Sequence, residues 1–417
     1  MSELLEKILS RDNMFAALKK VKANRGAGGT DGISVEEIDG YLKENWVDIR
    51  DRIRKRKYKP QPVRRVEIPK PNGGVRSLGI PTVVDRIIEQ AMAQVISPIA
   101  EKQFSEYSYG FRPKRRTQQA VVKLLEYLND GYTYIVDIDL EKFFDNVPHD
   151  KLMSLVHKLI NDPDTESLIR KYLNAGVMIK GEYAKTTMGT PQGGNISPLL
   201  SNIMLNELDR ELEARGLRFV RFADDCVIAV GSSAAANRVM ASVTGFIEKK
   251  LGLKVNASKS KVTKPMNLKY LGFGFWKDKD RWKARPHKDS IKRFERKLKA
   301  KTKRNWSVSI DQRIAELNQL IRGWINSFRM GNMKSTLRRI DEHLRTRMRI
   351  VIWKQWKTSA RRYWGLRKLG APEWIARKSV AFGNHYQAAA KTTGLRYISK
   401  EILARRGLLS YLDYYLN

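Results

Sequence analysis

Residues 134–147 read Tyr-Ile-Val-Asp-Ile-Asp-Leu-Glu-Lys-Phe-Phe-Asp-Asn-Val, and this stretch decides the fold class. Alternation puts Val136, Ile138 and Leu140 on one face of a strand, with Asp137, Asp139 and Glu141 on the other. Carboxylates in the middle of an apolar strand are costly to dehydrate unless a cation or metal meets them. The plainer alternative is an edge strand with one wet face. A second stretch, LRFVRFADDCVIAV, sets strand-like runs on either side of Ala223-Asp224-Asp225. Its spacing predicts a tight hairpin with Ala223 and Asp224 at the tip. Asp is an ordinary turn residue. These flanks, however, are too apolar for a surface hairpin, and alanine stands where Gly or Asn is preferred, so a held, strained turn is expected. One strand-borne Asp and a hairpin-borne Asp pair form a donor set suited to hard divalent cations such as Mg²⁺.

Between these stretches lies Gly189-Thr190-Pro191-Gln192-Gly193-Gly194-Asn195-Ile196-Ser197-Pro198, a glycine-rich turn entering a helix. Ser197 is the expected N-cap and Pro198 the first helical position, and the glycines let backbone approach a ligand closely. Further upstream, VRRVEIPKPNGGVRSLGIP reads as two strands about a Pro-Asn-Gly-Gly turn, a basic hairpin carrying Arg64, Arg65, Lys70 and Arg76. Before it come a helix ending near Asn24, a flexible loop from Gly26 to Gly32, and a capping box of Ser34 and Glu37 that opens a second helix.

In this order and spacing the blocks resemble the palm of a reverse transcriptase, and more narrowly a bacterial group II intron-encoded reverse transcriptase and maturase. The blocks are RRVEIPKPNGGVRSLGIPTVVDR, YSYGFRP, VDIDLEKFFDNV, GTPQGGNISPLLSN, RFADDC, LGLKVNASKSKV and LKYLGFGF. Phe222 stands where the family's hairpin has Tyr; the ring is kept, so activity is expected to survive. The resemblance implies that Asp139, Asp224 and Asp225 bind two Mg²⁺ ions, with Leu140 as a further ligand and Mn²⁺ able to substitute. Phe144 matches the ring that blocks a nucleotide 2′-hydroxyl. Lys70 and Arg76 match the cations on the incoming triphosphate, Gln192 the glutamine beside the incoming nucleotide, and Lys259 the lysine that protonates pyrophosphate. Leu268 to Phe275 matches the strands that hold the primer end.

The 417 residues carry 80 Lys and Arg against 44 Asp and Glu, a net +36. Between Arg281 and Gly370 there are 27 Lys and Arg and 6 Asp and Glu, so +21 of that charge sits in one stretch together with six tryptophans. Such an excess goes well beyond what solubility needs and points to a polyanionic partner. IAELNQLIRGWINSF and LRRIDEHLRTRMRIVIW show helical spacing. This module matches the family's thumb, expected to grip RNA–DNA duplex and intron RNA, with Lys301, Lys303 and Arg304 as contacts beside Arg64 and Arg65 of the hairpin. A single cysteine, Cys226, excludes a disulfide scaffold and a Cys-based zinc site. The start, MSELLEKILSRDNMF, has no apolar run, so no secretory signal is expected there, and without Cys pairs ahead of YLDYYLN the sequence gives no support for the zinc-bearing endonuclease of many relatives.

The expected fold is α+β: a right-hand polymerase with fingers and palm built on antiparallel sheet, followed by a helical thumb. The expected segments are 1–100 (N-terminal extension and fingers), 101–280 (palm), 281–370 (thumb) and 371–417 (a small DNA-binding segment). The expected function is RNA-directed DNA polymerisation on an RNA template from a DNA or RNA primer with dNTPs, joined to binding of group II intron RNA. A cytoplasmic bacterial location and no membrane partner go with it. Three rival readings are an RNA-templated RNA polymerase, a splicing-only RNA-binding maturase, and a free-standing enzyme of repair or phage defence.

Overall fold

The computed structural model describes residues 2–69, 73–191 and 193–417, without the side chain of Arg76. The chain divides into two compact units, Met1–Lys264 and Pro265–Asn417. In the first, the strands in chain order are β1 (Val63–Pro69), β2 (Val75–Ile80), β3 (Tyr134–Ile138), β4 (Val177–Ile179), β5 (Glu182–Ala184), β6 (Arg218–Phe222), β7 (Asp225–Val230) and β8 (Lys261–Thr263). They form two sheets, ordered β2-β1-β4-β5 and β6-β7-β3-β8.

β3 is an inner strand, antiparallel to both β7 and β8, so the edge-strand alternative does not hold. Val136 and Ile138 are buried on one face as the alternation predicts. On the other face Ile135 is fully buried, whereas Asp137 and Asp139 are partly open. That face is therefore covered at one end and accessible at the end carrying the carboxylates. The basic hairpin forms as read, with β1 antiparallel to β2 from Arg64↔Ile80 to Pro69↔Val75. Beside it the helix Val83–Glu101 is buried along most of its length. Thr82 caps this helix by accepting from the Asp85 N–H.

The stretch Gly26–Gly32, read as a flexible loop, is tied down. Arg64 Nη2 donates to the Gly28 carbonyl at 2.8 Å and Arg86 Nη2 to that of Ala27 at 2.6 Å. A Cβ on Gly29 would lie 2.5 Å from the Thr82 Cα, so glycine is required for this approach. Ser34 and Glu37 do make reciprocal hydrogen bonds ahead of the helix Ile38–Arg54.

In the second unit β9 (Lys269–Tyr270), β10 (Phe273–Asp278) and β11 (Arg281–Pro286) form one sheet. The expected palm–thumb boundary at 280/281 would cut between β10 and β11, which pair over six positions; the unit boundary falls instead at Lys264/Pro265. Both periodic stretches are helical, within Ile310–Phe328 and Lys334–Gln355. The tail expected as a separate segment shares their core. Tyr411 is fully buried, and Asp341 accepts hydrogen bonds from the N–H groups of Tyr411 and Leu412 and from the Ser410 hydroxyl. Among the described residues no helix is long and apolar enough to cross a membrane.

Candidate active site

The hairpin forms at the predicted residues. β6 and β7 pair from Arg218↔Ala229 to Phe222↔Asp225, leaving Ala223 and Asp224 as a two-residue turn. Ala223 has φ +57°, a left-handed conformation that costs an L-residue roughly 1–2 kcal/mol. Its neighbours show why the strain persists. Arg221, fully buried, donates to both carboxylate oxygens of buried Asp209, to Asn202 Oδ1 at 3.0 Å and to the Ala223 carbonyl at 2.9 Å. On the other side Gly110 packs so closely that a Cβ there would lie 2.1 Å from the Ala223 nitrogen. The turn is clamped between an internal ion pair and a glycine.

Because β7 pairs with β3, the turn carries Asp224 and Asp225 toward Asp139. Burial pushes the Asp225 carboxyl up to about 7, and repulsion from Asp224, Asp137 and Asp139 adds to the shift, against Lys259. Solvent still reaches the Asp225 side chain. Asp137 is raised to about 6, mainly by burial. Crowded like charges of this kind call for a cation. Lys259 supplies one: its Nζ lies 3.1 Å from Asp139 Oδ2. The loop that presents it is folded by Asn256, whose side-chain oxygen accepts from the N–H groups of Ser258 and Lys259. The same loop fixes the Asp139 backbone: Asn256 N–H donates to the Asp139 carbonyl at 2.8 Å, and the Asp139 N–H donates to Ser260 Oγ at 3.0 Å. Among the described residues no three Asp, Glu, His or Cys side chains converge as a ready-made metal site. The donor set nonetheless fits a hard divalent ion, being all carboxylate, mutually repelling and held on rigid backbone.

A cleft of about 440 Å³ lies between the basic hairpin and the segment that follows Asp139, lined among others by Arg65, Ser77, Gly79, Phe144, Thr190 and Pro191. Phe143 is buried and meets Phe144 edge to face at 5.4 Å, so Phe144 is the ring that faces the cleft. The glycine-rich loop is stitched to the Phe144 backbone. Thr190 N–H donates to the Phe144 carbonyl at 2.7 Å, and Gly189 N–H to that of Val147 at 2.8 Å. A Cβ on Gly193 (φ +126°) would lie 2.0 Å from the Gly79 carbonyl oxygen, and one on Gly194 about 3 Å from the Glu89 carboxylate. These glycines bring the loop against β2 and the buried helix.

Residues 68–275 match the family model described as reverse transcriptase (RNA-dependent DNA polymerase), and residues 291–370 the model of the group II intron maturase-specific domain. The chain is 34% identical over 299 residues to Protein YkfC of Escherichia coli K12, covering 62% of this chain and 78% of that protein. The chain belongs to the group II intron reverse transcriptases. It is also 37% identical over 221 residues to the group II intron-encoded protein LtrA of Lactococcus lactis, covering 53% of this chain and 37% of LtrA. An RNA-directed DNA polymerase domain is thus followed by a maturase-specific domain, in a family that uses divalent metal ions.

The expected site residues of this reverse transcriptase fall into four groups. Asp139, Leu140, Asp224, Asp225 and Lys259 are brought together at the hairpin, Leu140 through a bridge to Val255. Phe144 and Arg65 share the cleft, while Arg64 is turned to the Gly28 carbonyl. Lys70, Gln192 and the Arg76 side chain lie outside the described residues; the Arg76 backbone pairs with Ile68. Ser197 is not the N-cap. The helix Ser197–Ala214 is preceded by Ile196, and the Ser197 hydroxyl donates to the Pro191 carbonyl instead. In the second unit Lys301 sits against Glu316 and over the Trp306 ring, and Arg304 stacks 4.8 Å from the Tyr386 ring centre. Lys303 is exposed, as are Lys292, Arg293, Arg296 and Lys297 along the helix Lys288–Lys301, none with an ion-pair partner among the described residues.

Glu89 was not singled out from the sequence, yet it holds the loop by accepting from the Asn195 backbone N–H. Two carboxylates in VVDRIIEQAM, an otherwise apolar helix, were the available signal. Burial pushes Glu89 up to about 8 from its ordinary 4.5, with nearby Asp85 adding to the shift. Across that window the folded chain keeps a proton that the unfolded chain releases, so this group's contribution to stability declines as pH rises. Glu89→Gln is expected to flatten the decline between pH 6 and 8.5. At pH 8.5 it should be the more stable chain, by on the order of 1 kcal/mol or more. Chemical denaturation at both pH values checks this; an unchanged slope would place the titration elsewhere.

Proposed function

We propose that this chain extends a primer on an RNA template by nucleotidyl transfer at Asp139, Asp224 and Asp225, and also binds group II intron RNA to assist splicing and mobility. The observation that carries the reading is the clamped Ala223-Asp224 turn, paired through β7 to the strand that leads into Asp139. The three carboxylates and the Leu140 carbonyl would hold Mg²⁺, or Mn²⁺ in its place, which when bound lowers the cost of charge on the attacking hydroxyl and the leaving pyrophosphate. Lys259, close enough to Asp139 for an ion pair, is placed to give a proton to the departing pyrophosphate. Lys70 and Arg76 supply cations for the triphosphate, Arg65 in the cleft contacts nucleic acid, and Gln192 contacts the incoming nucleotide. The first unit serves as fingers and palm and the second as thumb. The lone thiol, buried Cys226, suits a reducing cytoplasm.

Phe144 argues for DNA rather than RNA synthesis. Its ring faces the cleft, where it would collide with a 2′-hydroxyl. Phe144→Ala is expected to raise the use of ribonucleotides relative to deoxyribonucleotides by about tenfold or more, as expected when a steric clash is removed. Single-nucleotide incorporation with each dNTP and NTP measures it, and an unchanged ratio would assign the selection to another residue.

The exposed cations of the second unit are the natural phosphate contacts. Binding should weaken linearly in log affinity against log salt. Neutralising Lys292, Arg296 and Lys303 together is expected to reduce that slope by about 0.7–0.9 for each phosphate that is no longer neutralised. Lys301→Gln is expected to change it less, because Lys301 already faces Glu316. Titrations of a labelled RNA–DNA hybrid over about 50–300 mM salt decide this. Equal slopes for the wild-type and triple-variant chains would contradict it.

A further inference from the structure

Phe111 stands out in the first unit. It is a bulky residue at φ +58°, a backbone conformation that glycine adopts freely and phenylalanine resists. The residue is 53% exposed and, among the described residues, its ring makes no ring pair or cation contact. A strained backbone is usually offset by buried side-chain packing, and here that compensation is missing. The surroundings hold the strain in place from both sides. Asn202, itself buried, donates from Nδ2 to the Gly110 carbonyl at 2.8 Å. Arg112, also buried, donates to the carbonyls of Ser105 and Ser108 and to the Glu101 carboxylate. The backbone that carries the ring is therefore held, one residue after the glycine that packs on Ala223 of the catalytic turn. Lys114, at φ +61°, and Arg116 follow it; both are exposed and have no ion-pair partner among the described residues.

An exposed ring on a held backbone, followed closely in the chain by unpaired cations, is the chemistry that holds a nucleic-acid strand, base on ring and phosphate on cation. We propose that Phe111 is a stacking platform for one nucleobase of the bound template–primer, beside the catalytic hairpin, with Lys114 and Arg116 on the adjoining phosphates. This rests on the polymerase reading given above. The strain is then part of the site: a backbone already held in place loses little freedom when a base settles on the ring it carries.

Phe111→Gly separates the alternatives, because glycine relieves the backbone strain while deleting the ring. The full-length variant is expected to melt at or above the wild-type temperature. It should bind a labelled RNA template–DNA primer about fivefold or more weakly, with KM for the hybrid rising and kcat changing less. Phe111→Trp and Phe111→Tyr should recover most of the affinity. A second arm moves a single abasic site along the template and, separately, along the primer. At one position the loss of the base should weaken wild-type binding and leave Phe111→Gly unaffected, and the arm in which this happens identifies the strand. Wild-type affinity in Phe111→Gly, a markedly lowered melting temperature, or no abasic position at which the two chains converge would each overturn the proposal. Failure of the wild-type chain to extend any primer would instead count against the polymerase reading itself.

Discussion

Replacing Asp224 by alanine is expected to abolish primer extension on an RNA template while leaving folding and RNA affinity close to wild type. Asp224 sits at the second position of the turn, and its side chain is half-exposed. A carboxylate that holds the catalytic cation acts on the charge developing during transfer and not on duplex binding. Loss of several kcal/mol of such stabilisation corresponds to about a thousandfold or greater fall in rate. Extension of a labelled primer with dNTPs, alongside a melting curve and a binding titration, measures all three properties. Extension within a few-fold of wild type would remove Asp224 from the catalytic set. Splicing of intron RNA by the same variant is expected to persist, since that activity draws on binding alone.

The second large effect lies one layer beneath the chemistry. Arg221→Met removes the cation from a pair in which both partners are essentially inaccessible to solvent. It leaves the Asp209 carboxylate buried with no cation against it, a change that typically costs about 3–5 kcal/mol. The melting temperature of the first unit is expected to fall by on the order of 10 °C. Pairing the change with Asp209→Leu should recover much of the stability, because an apolar pair of similar volume can replace a buried ion pair. It should not recover the activity. The Ala223 carbonyl still lacks the 2.9 Å donor that holds the strained turn. A double variant that regained both together would show that Arg221 contributes stability only.

The geometry of the candidate site was legible because each part of it conflicts with ordinary packing. Asp137 and Asp139 interrupt an apolar strand, and Ala223 occupies a turn position that favours glycine, where the structure duly places it at φ +57°. The parts that were not legible depend on pairings between distant segments. Arg221 and Asp209 are twelve residues apart, on a strand and on the helix before it, and only the tertiary fold shows that the guanidinium points inward. The Gly110–Ala223 contact spans more than a hundred residues and needs no side chain at all, so composition carries no trace of it. The Gly26–Gly32 stretch misled for a related reason. Six small or flexible residues suggest freedom, but two arginines from elsewhere in the first unit hold its carbonyls. Ser197 shows the local limit: a hydroxyl one residue from a helix start can cap it or bond the loop behind, and here it bonds Pro191.

The central claim is that this chain copies RNA into DNA at the Asp139, Asp224 and Asp225 centre. The most direct measurement offers the full chain an annealed DNA primer on an RNA template with Mg²⁺, supplying dNTPs in one reaction and NTPs in another, each with and without a chelator. The account predicts primer extension with dNTPs, little with NTPs, and none once the metal is sequestered. No extension of a hybrid that the chain demonstrably binds, or extension that favours NTPs, would contradict it.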